Sequence, residues 1–340
     1  MLDPTDSEMA NLDLVADRLR HCERGRDVLL IPSLNQELLG DKLLLSGVFE
    51  WIKTICPALE VWAMDDGSCT FPMQSFAFPP DRIVKDRIER LPYVVTQEPR
   101  IGLVFALSDH NSVWVPRNIE CSAPVIHCGL WTVLAGLKVR GFMPRVRVPA
   151  HVRSRVRELL DFCLPRSDAR YFAVHLRSLA RDSGKNVPFD EMQRVISLLV
   201  SATSLPCLIF GNGDRRSRIS GPMITDLMFE EPLRWTDTIS LLANAWFFLG
   251  SDSGPLHLAA ACGAKVICLN HANAKFGPFC PEEQLAGRIM SRQICDLESA
   301  RGLISELVRY GEPANLRLAK RSTDAERSGR SHIRAEASHG

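Results

Sequence analysis

The chain is predicted to be an α/β protein of two doubly wound parallel sheets, a Rossmann-like lobe repeated. Two observations predict it. Short, continuous apolar runs alternate with helical patterns, which is how strands buried on both faces of a parallel sheet read. The alternation occurs in two series separated by a basic stretch, and 340 residues with 46% hydrophobic content suffice for two cores. The expected domains are an N-terminal helical extension over 1–26, a first lobe over 27–160, a second lobe over 161–311, and a tail over 312–340. The tail is polar and charged with few large apolar residues, the composition of a disordered segment.

The elements follow in order. Met9, Leu12, Val15 and Leu19 share one face of a helix predicted over 6–22, with Gly25 after it. A buried strand at 28–31 leads through a polar loop into a long helix at 40–55, which Pro57 ends. Further strands are expected at 61–64, 101–107 and 125–127. The stretch 65–99, rich in Pro and aromatics, has no assignable element; it forms either an acceptor wall or a structural loop. The second series comprises a strand at 172–176, a helix at 189–203, a strand at 208–210 and a helix at 237–245. A strand, turn, helix and strand over 246–270 complete it.

Composition excludes several function classes. The formal net charge of +1 does not fit a nucleic-acid binder. Eleven cysteines, an odd number without a CxxC pair, fit thiols in a reducing compartment. Cys56, Cys163, Cys207 and Cys268 lie in apolar surroundings as small core residues. Asp3, Asp6, Glu8, Asp13 and Asp17 make the first twenty residues unlike a signal peptide, and no run is long enough to span a bilayer. A cytoplasmic protein is therefore expected. Neither GxGxxG nor a Walker A loop occurs, and His/Cys metal spacing is absent, so no metal or cofactor is expected. Asp65-Asp66 has no second acidic cluster beside it and reads as a turn.

Four constellations remain. Trp246 to Asn270 places a Ser-Gly turn between an apolar strand and a helix of small residues, and the N–H groups of such a helix start attract phosphate. Ser253 is expected to cap that helix, Gly254 to admit a ligand, and Pro255 to fit the first turn. His257 falls one turn inside, and Gly263 stops the helix. An ordinary crossover between strands is the alternative. Asp41, in Gly40-Asp41 at the start of the long helix, lies beyond a strand's carboxyl end and can take a proton from a substrate hydroxyl, or merely cap the helix. His175 and Arg177 end a strand in cations and open into a loop with Lys185, which suits an anionic ligand; a solvated loop is the alternative. Gly211 begins a Gly-Asn-Gly-Asp turn after another strand, a position of nucleotide contact or an ordinary turn. Finally, the seven cations from Lys138 to Arg157 make a strip for an anionic acceptor or a membrane surface, or else a solvated linker.

Asp252-Ser253-Gly254-Pro255-Leu256-His257-Leu258-Ala259-Ala260-Ala261 resembles the donor-site motif of the heptosyltransferase-like glycosyltransferases, family 9, which have the two-lobed GT-B fold. Asp252-Ser253-Gly254-Pro255 is also similar to the nucleophile loop of trypsin-like proteases, but those are all-β, and Ser is misplaced for a nucleophile elbow. The resemblance implies that Asp41 matches the family's proposed base, although Gly47-Val48 stands where a Pro often ends that motif. It implies that Lys185, two residues before Val187-Pro188 where the family has Trp-Pro, neutralises the departing diphosphate. His175, Arg177, Lys185, Gly211, Asp252, Ser253, Gly254 and His257 would then form the donor site. The implied activity is inverting, metal-independent transfer from an ADP-heptose-like nucleotide sugar to a saccharide or glycolipid acceptor such as lipopolysaccharide core, at or near the inner membrane surface. A non-catalytic sugar-nucleotide or glycan binder and a sugar-nucleotide epimerase or hydrolase are the two other readings of the same phosphate site.

Overall fold

The structure is a computed structural model that describes residues 6–25, 27–32, 39–108, 120–129, 133–134, 136–137, 141–150, 154–164, 170–176, 186–211, 219–227, 233–251, 253–269, 289–292, 294 and 296–309. It divides into two compact units, one ending at Arg147 and the other beginning at Val148. The division falls ahead of the 160/161 boundary expected from sequence, and the tail beyond 311 lies outside the described residues.

The first unit opens with α1 (Asp6–Gly25), which packs on α2 (Leu39–Ile55) and buries Leu12, Val15, Ala16 and Leu19. Its sheet contains β1 (Val28–Ile31), β2 (Glu60–Asp65), β3 (Arg82–Lys85), β4 (Ile101–Ser108) and β5 (Val125–Gly129) in the order β3-β2-β1-β4-β5, all parallel. All four residues of β1 are buried, as the apolar run predicts for a central strand covered on both faces. The unassigned stretch contains β3 and a short helix, α3 (Leu91–Gln97), whose Leu91, Val94 and Val95 cover one face of the sheet with Val28, Leu30 and Trp62.

The second unit begins with α4 (Ser154–Cys163), which carries the end of the basic strip. Its sheet contains β6 (Phe172–His175), β7 (Cys207–Ile209), β8 (Ile224–Asp226), β9 (Phe247–Gly250), β10 (Lys265–Leu269) and β11 (Ile289–Arg292). Their order is β11-β10-β9-β6-β7-β8, again parallel. The helices are α5 (Phe189–Thr203), α6 (Trp235–Asn244), α7 (Gly254–Ala261) and α8 (Leu297–Arg309). Met192, Val195, Ile196 and Leu199 of α5 and Ala300, Leu303 and Leu307 of α8 share a core with Phe172, Phe247 and Ile267. Phe172 and Phe247 stack at 4.8 Å across the two central strands. Gly263, at φ +84°, ends α7: its N–H reaches Ala260 O at 2.9 Å, and the N–H of Ala264 reaches Ala259 O at 3.0 Å. These bonds make the left-handed stop expected of a glycine there.

Among the described residues, no helix is long and apolar enough to cross a membrane. Arg145 of the basic strip pairs with Glu50 of α2 at 3.4 Å, and its N–H bonds to Ser46 Oγ at 3.0 Å, while Lys138, Arg140 and Arg153 lie outside the described residues. Cys56, Cys207 and Cys268 are buried as expected, and Cys163 is partly exposed.

Candidate functional site

In the second sheet the chain runs outward from β6 through β7 to β8, then returns to β9 and runs the other way to β11. The order reverses between β6 and β9, and ligands of doubly wound sheets bind beyond the carboxyl ends of the strands at such a point. His175 is the last residue of β6 and pairs in register with Gly250, the last residue of β9. The sequence-predicted residues His175, Gly211, Ser253 and Gly254 therefore all lie at or just beyond the carboxyl ends of three neighbouring strands.

Gly211 makes room for the His175 imidazole, and Gly250 for the Phe248 ring and the main chain of His175. A β-carbon on Gly211, whose φ is +118°, would lie 2.6 Å from Cδ2 and 2.7 Å from Nε2 of His175. One on Gly250 would lie 3.0 Å from the Phe248 ring and 3.2 Å from the His175 carbonyl oxygen. The Phe210 ring stands 5.8 Å from the imidazole. Burial pulls the His175 pKa down to about 4, so the ring is neutral at neutral pH. This corrects the reading of a strand ending in two cations: His175 offers hydrogen bonds without charge. Its Nδ1 is inaccessible and has no hydrogen-bond partner among the described residues.

The turn after β9 shows a second departure. Ser253 occupies the N-cap of α7 at φ −156° and ψ 162°, but its hydroxyl makes no capping bond. The main-chain oxygen of Ser253 instead accepts from Leu256 N–H at 3.0 Å and His257 N–H at 3.3 Å. The Ser253 and Ser251 hydroxyls are buried and have no partner among the described residues. Leaving a buried hydroxyl unpaired costs about 1–3 kcal/mol. Together with His175 Nδ1 they make three such atoms at the ends of β6 and β9, an arrangement suited to a polar ligand. Pro255 lies in the first turn of α7, as expected, and His257 is buried within the helix. Ser251 was not singled out from sequence; the apolar strand before it gives no sign that its hydroxyl is left unpaired.

Asp252, Arg177 and Lys185 lie outside the described residues. Val187, two residues after Lys185, is buried in the core of the second unit.

In the first unit the sheet order reverses between β1 and β4, and α2 follows β1. Asp41 is the third residue of α2, inside the first turn and not at the cap. Asp65 ends β2 and is not a simple turn residue. Its Oδ1 accepts the Gly67 N–H at 3.0 Å, and Asp66 makes the equivalent bond to Ser68 N–H at 2.8 Å, so the expected turn is present. Asp65 also accepts from Lys42 Nζ at 3.2 Å and Lys85 Nζ at 2.8 Å. Lys42 was missed from sequence; the available signal was a cation in the first turn of α2 directly before the apolar run Leu43-Leu44-Leu45. No group of three or more His, Cys, Asp and Glu able to hold a metal occurs among the described residues.

Residues 231–295, which include the turn after β9 and all of α7, match the sequence profile of glycosyltransferase family 9 (heptosyltransferase). A search of curated proteins gives no match. Among solved structures, the chain is similar to E. coli ADP-heptose LPS heptosyltransferase II with a TM-score of 0.58 at 11% identity, over 84% of this chain and 99% of that one. It is similar to a family 9 glycosyl transferase from Veillonella parvula with a TM-score of 0.56 at 12% identity, over 79% and 86%. E. coli heptosyltransferase WaaC with ADP gives 0.50 at 16% identity, over 82% and 99%. These likenesses show the fold. The chain therefore has the two-lobed α/β fold of these structures, and its residues 231–295 carry the glycosyltransferase family 9 profile.

Proposed function

We propose that the chain transfers a sugar, a heptose by the kinship of its neighbours, from a nucleotide-diphosphate donor to a saccharide or glycolipid acceptor of the lipopolysaccharide-core type. The observation that carries the reading is the trio of buried atoms without a partner among the described residues, His175 Nδ1, Ser251 Oγ and Ser253 Oγ, at the switch point of the lobe whose turn matches the family profile. WaaC was solved with ADP, and heptosyltransferase II is named for ADP-heptose, which favours an ADP-linked donor.

In this reading the diphosphate lies on the start of α7 at Ser253 and Gly254, with His175, Arg177, Gly211, Asp252 and His257 around the donor. Asp41 takes the proton of the acceptor hydroxyl as its oxygen bonds to the anomeric carbon. The bond from that carbon to the diphosphate breaks, and its electron pair leaves with the nucleoside diphosphate. Lys185 and the helix start neutralise the charge that develops, without a metal. A single displacement inverts the anomeric centre. A glycolipid acceptor would place the protein in the cytoplasm, at the periphery of the inner membrane.

The test is a mass-spectrometric screen of nucleotide sugars with lipopolysaccharide-core acceptors, scoring binding, donor cleavage and acceptor modification separately. Acceptor modification by an ADP-linked heptose is expected. Binding without turnover, or cleaved or epimerised donor without transfer, would overturn the reading.

A further inference from the structure

Lys42 is fully buried in the first turn of α2, the end of a helix where the dipole disfavours a cation. Its Nζ donates to both carboxylate oxygens of Asp65 at 3.2 Å and to the Cys69 carbonyl at 2.8 Å, which uses all three ammonium protons. Asp65 in turn accepts from Lys85, at the end of β3, and from the Gly67 N–H. Burial pushes the Asp65 carboxyl up, but Lys85, Gly67 and Lys42 together outweigh it and hold the group below its ordinary value.

Such a pair is a poor source of stability. Exchanging a buried ion pair for well-packed apolar groups is often neutral or favourable, and Leu43, Leu44 and Leu45 beside Lys42 show that this helix buries apolar side chains readily. Three directional bonds supply what an apolar residue does not: they fix the rotation and height of the first turn of α2 against the carboxyl end of β2. Asp41 belongs to that turn.

We propose that Lys42 is a positioning residue for Asp41, pinning the turn that contains it to the ends of β2 and β3 through Asp65 and Cys69. The proposal rests on the reading of Asp41 as the base, so its test has one readout that needs no substrate. Lys42→Met keeps the volume of the stem and removes the three donors. In the full chain, amide exchange over residues 40–45 is expected to quicken by about tenfold or more while the C-terminal half of α2 stays protected. Transfer kcat is expected to fall about tenfold or more with donor KM unchanged, since small misplacements of a reacting group are costly. Lys42→Arg, which keeps the charge, is expected to recover part of that loss.

A merely structural pair would lower the melting temperature and leave kcat per folded molecule at the parent value, and that result overturns the proposal. Should Lys42→Met not fold, Asp65→Asn is carried through both readouts with the same criteria. If the parent protein transfers no sugar, the reading of Asp41 fails on that result, while unchanged amide exchange in the variant would separately overturn the pin.

Discussion

Gly211 and His175 interlock: a β-carbon on residue 211 would stand 2.6 Å from the imidazole, and the backbone there has a φ of +118°. Gly211→Ala is therefore expected to destabilise the protein by about 2–3 kcal/mol, from backbone strain and displacement of the ring. Nucleotide affinity should fall with it if the ring faces the donor. Urea unfolding and calorimetry of the same sample check both; parent-like stability would show that the ring yields at no cost.

The neutral His175 gives a pH signature. Its folded pKa of about 4 lies below the ordinary 6.5, so between those values the unfolded chain binds a proton that the folded chain refuses. The contribution is fully present above pH 6.5 and is lost as pH falls toward 4, by about 2 kcal/mol at pH 5. Urea midpoints at pH 7 and pH 5 measure it. His175→Gln should remove this part of the pH dependence; an unaltered slope in that variant would assign the acid sensitivity elsewhere.

The two serines separate folding from binding. An N-cap hydroxyl normally contributes about 1 kcal/mol, but that of Ser253 makes no capping bond, so Ser253→Ala should change stability by less than about 0.5 kcal/mol. Ser251→Ala removes an unpaired buried hydroxyl and should be neutral or slightly stabilising. Each should weaken binding of a nucleoside diphosphate by about tenfold, the cost of one hydrogen bond to a charged group. Loss of stability with unchanged affinity would mean that these hydroxyls serve the fold.

How far the sequence carries depends on which contacts an element needs. The central strands were legible because burial on both faces leaves a bare apolar run, as at Val28–Ile31 and Phe247–Gly250. The predicted helix at 189–203 coincides with α5, whose apolar face keeps the helical period. The edge strand at Val125–Gly129 was legible, but two others were not: Arg82–Lys85 has no buried residue, and Ile224–Asp226 is three residues long. The turn after β9 announced itself through Ser253, Gly254, Pro255 and Gly263, residues with strong local meanings. The idle hydroxyl of Ser253, the neutral ring of His175 and the Lys42–Asp65 pair depend on neighbours distant in the chain, which a local pattern does not reveal.

Asp41→Asn tests the proposed role of Asp41 as the base most directly. Asn keeps the shape of Asp and cannot take a proton, and a general base typically contributes about a hundred- to ten-thousandfold to the rate. Sugar transfer by the folded variant should therefore fall at least about a hundredfold while its nucleotide affinity, measured by calorimetry, stays at the parent value. Transfer at the parent rate would contradict the account and leave Asp41 as an ordinary first-turn carboxylate of α2.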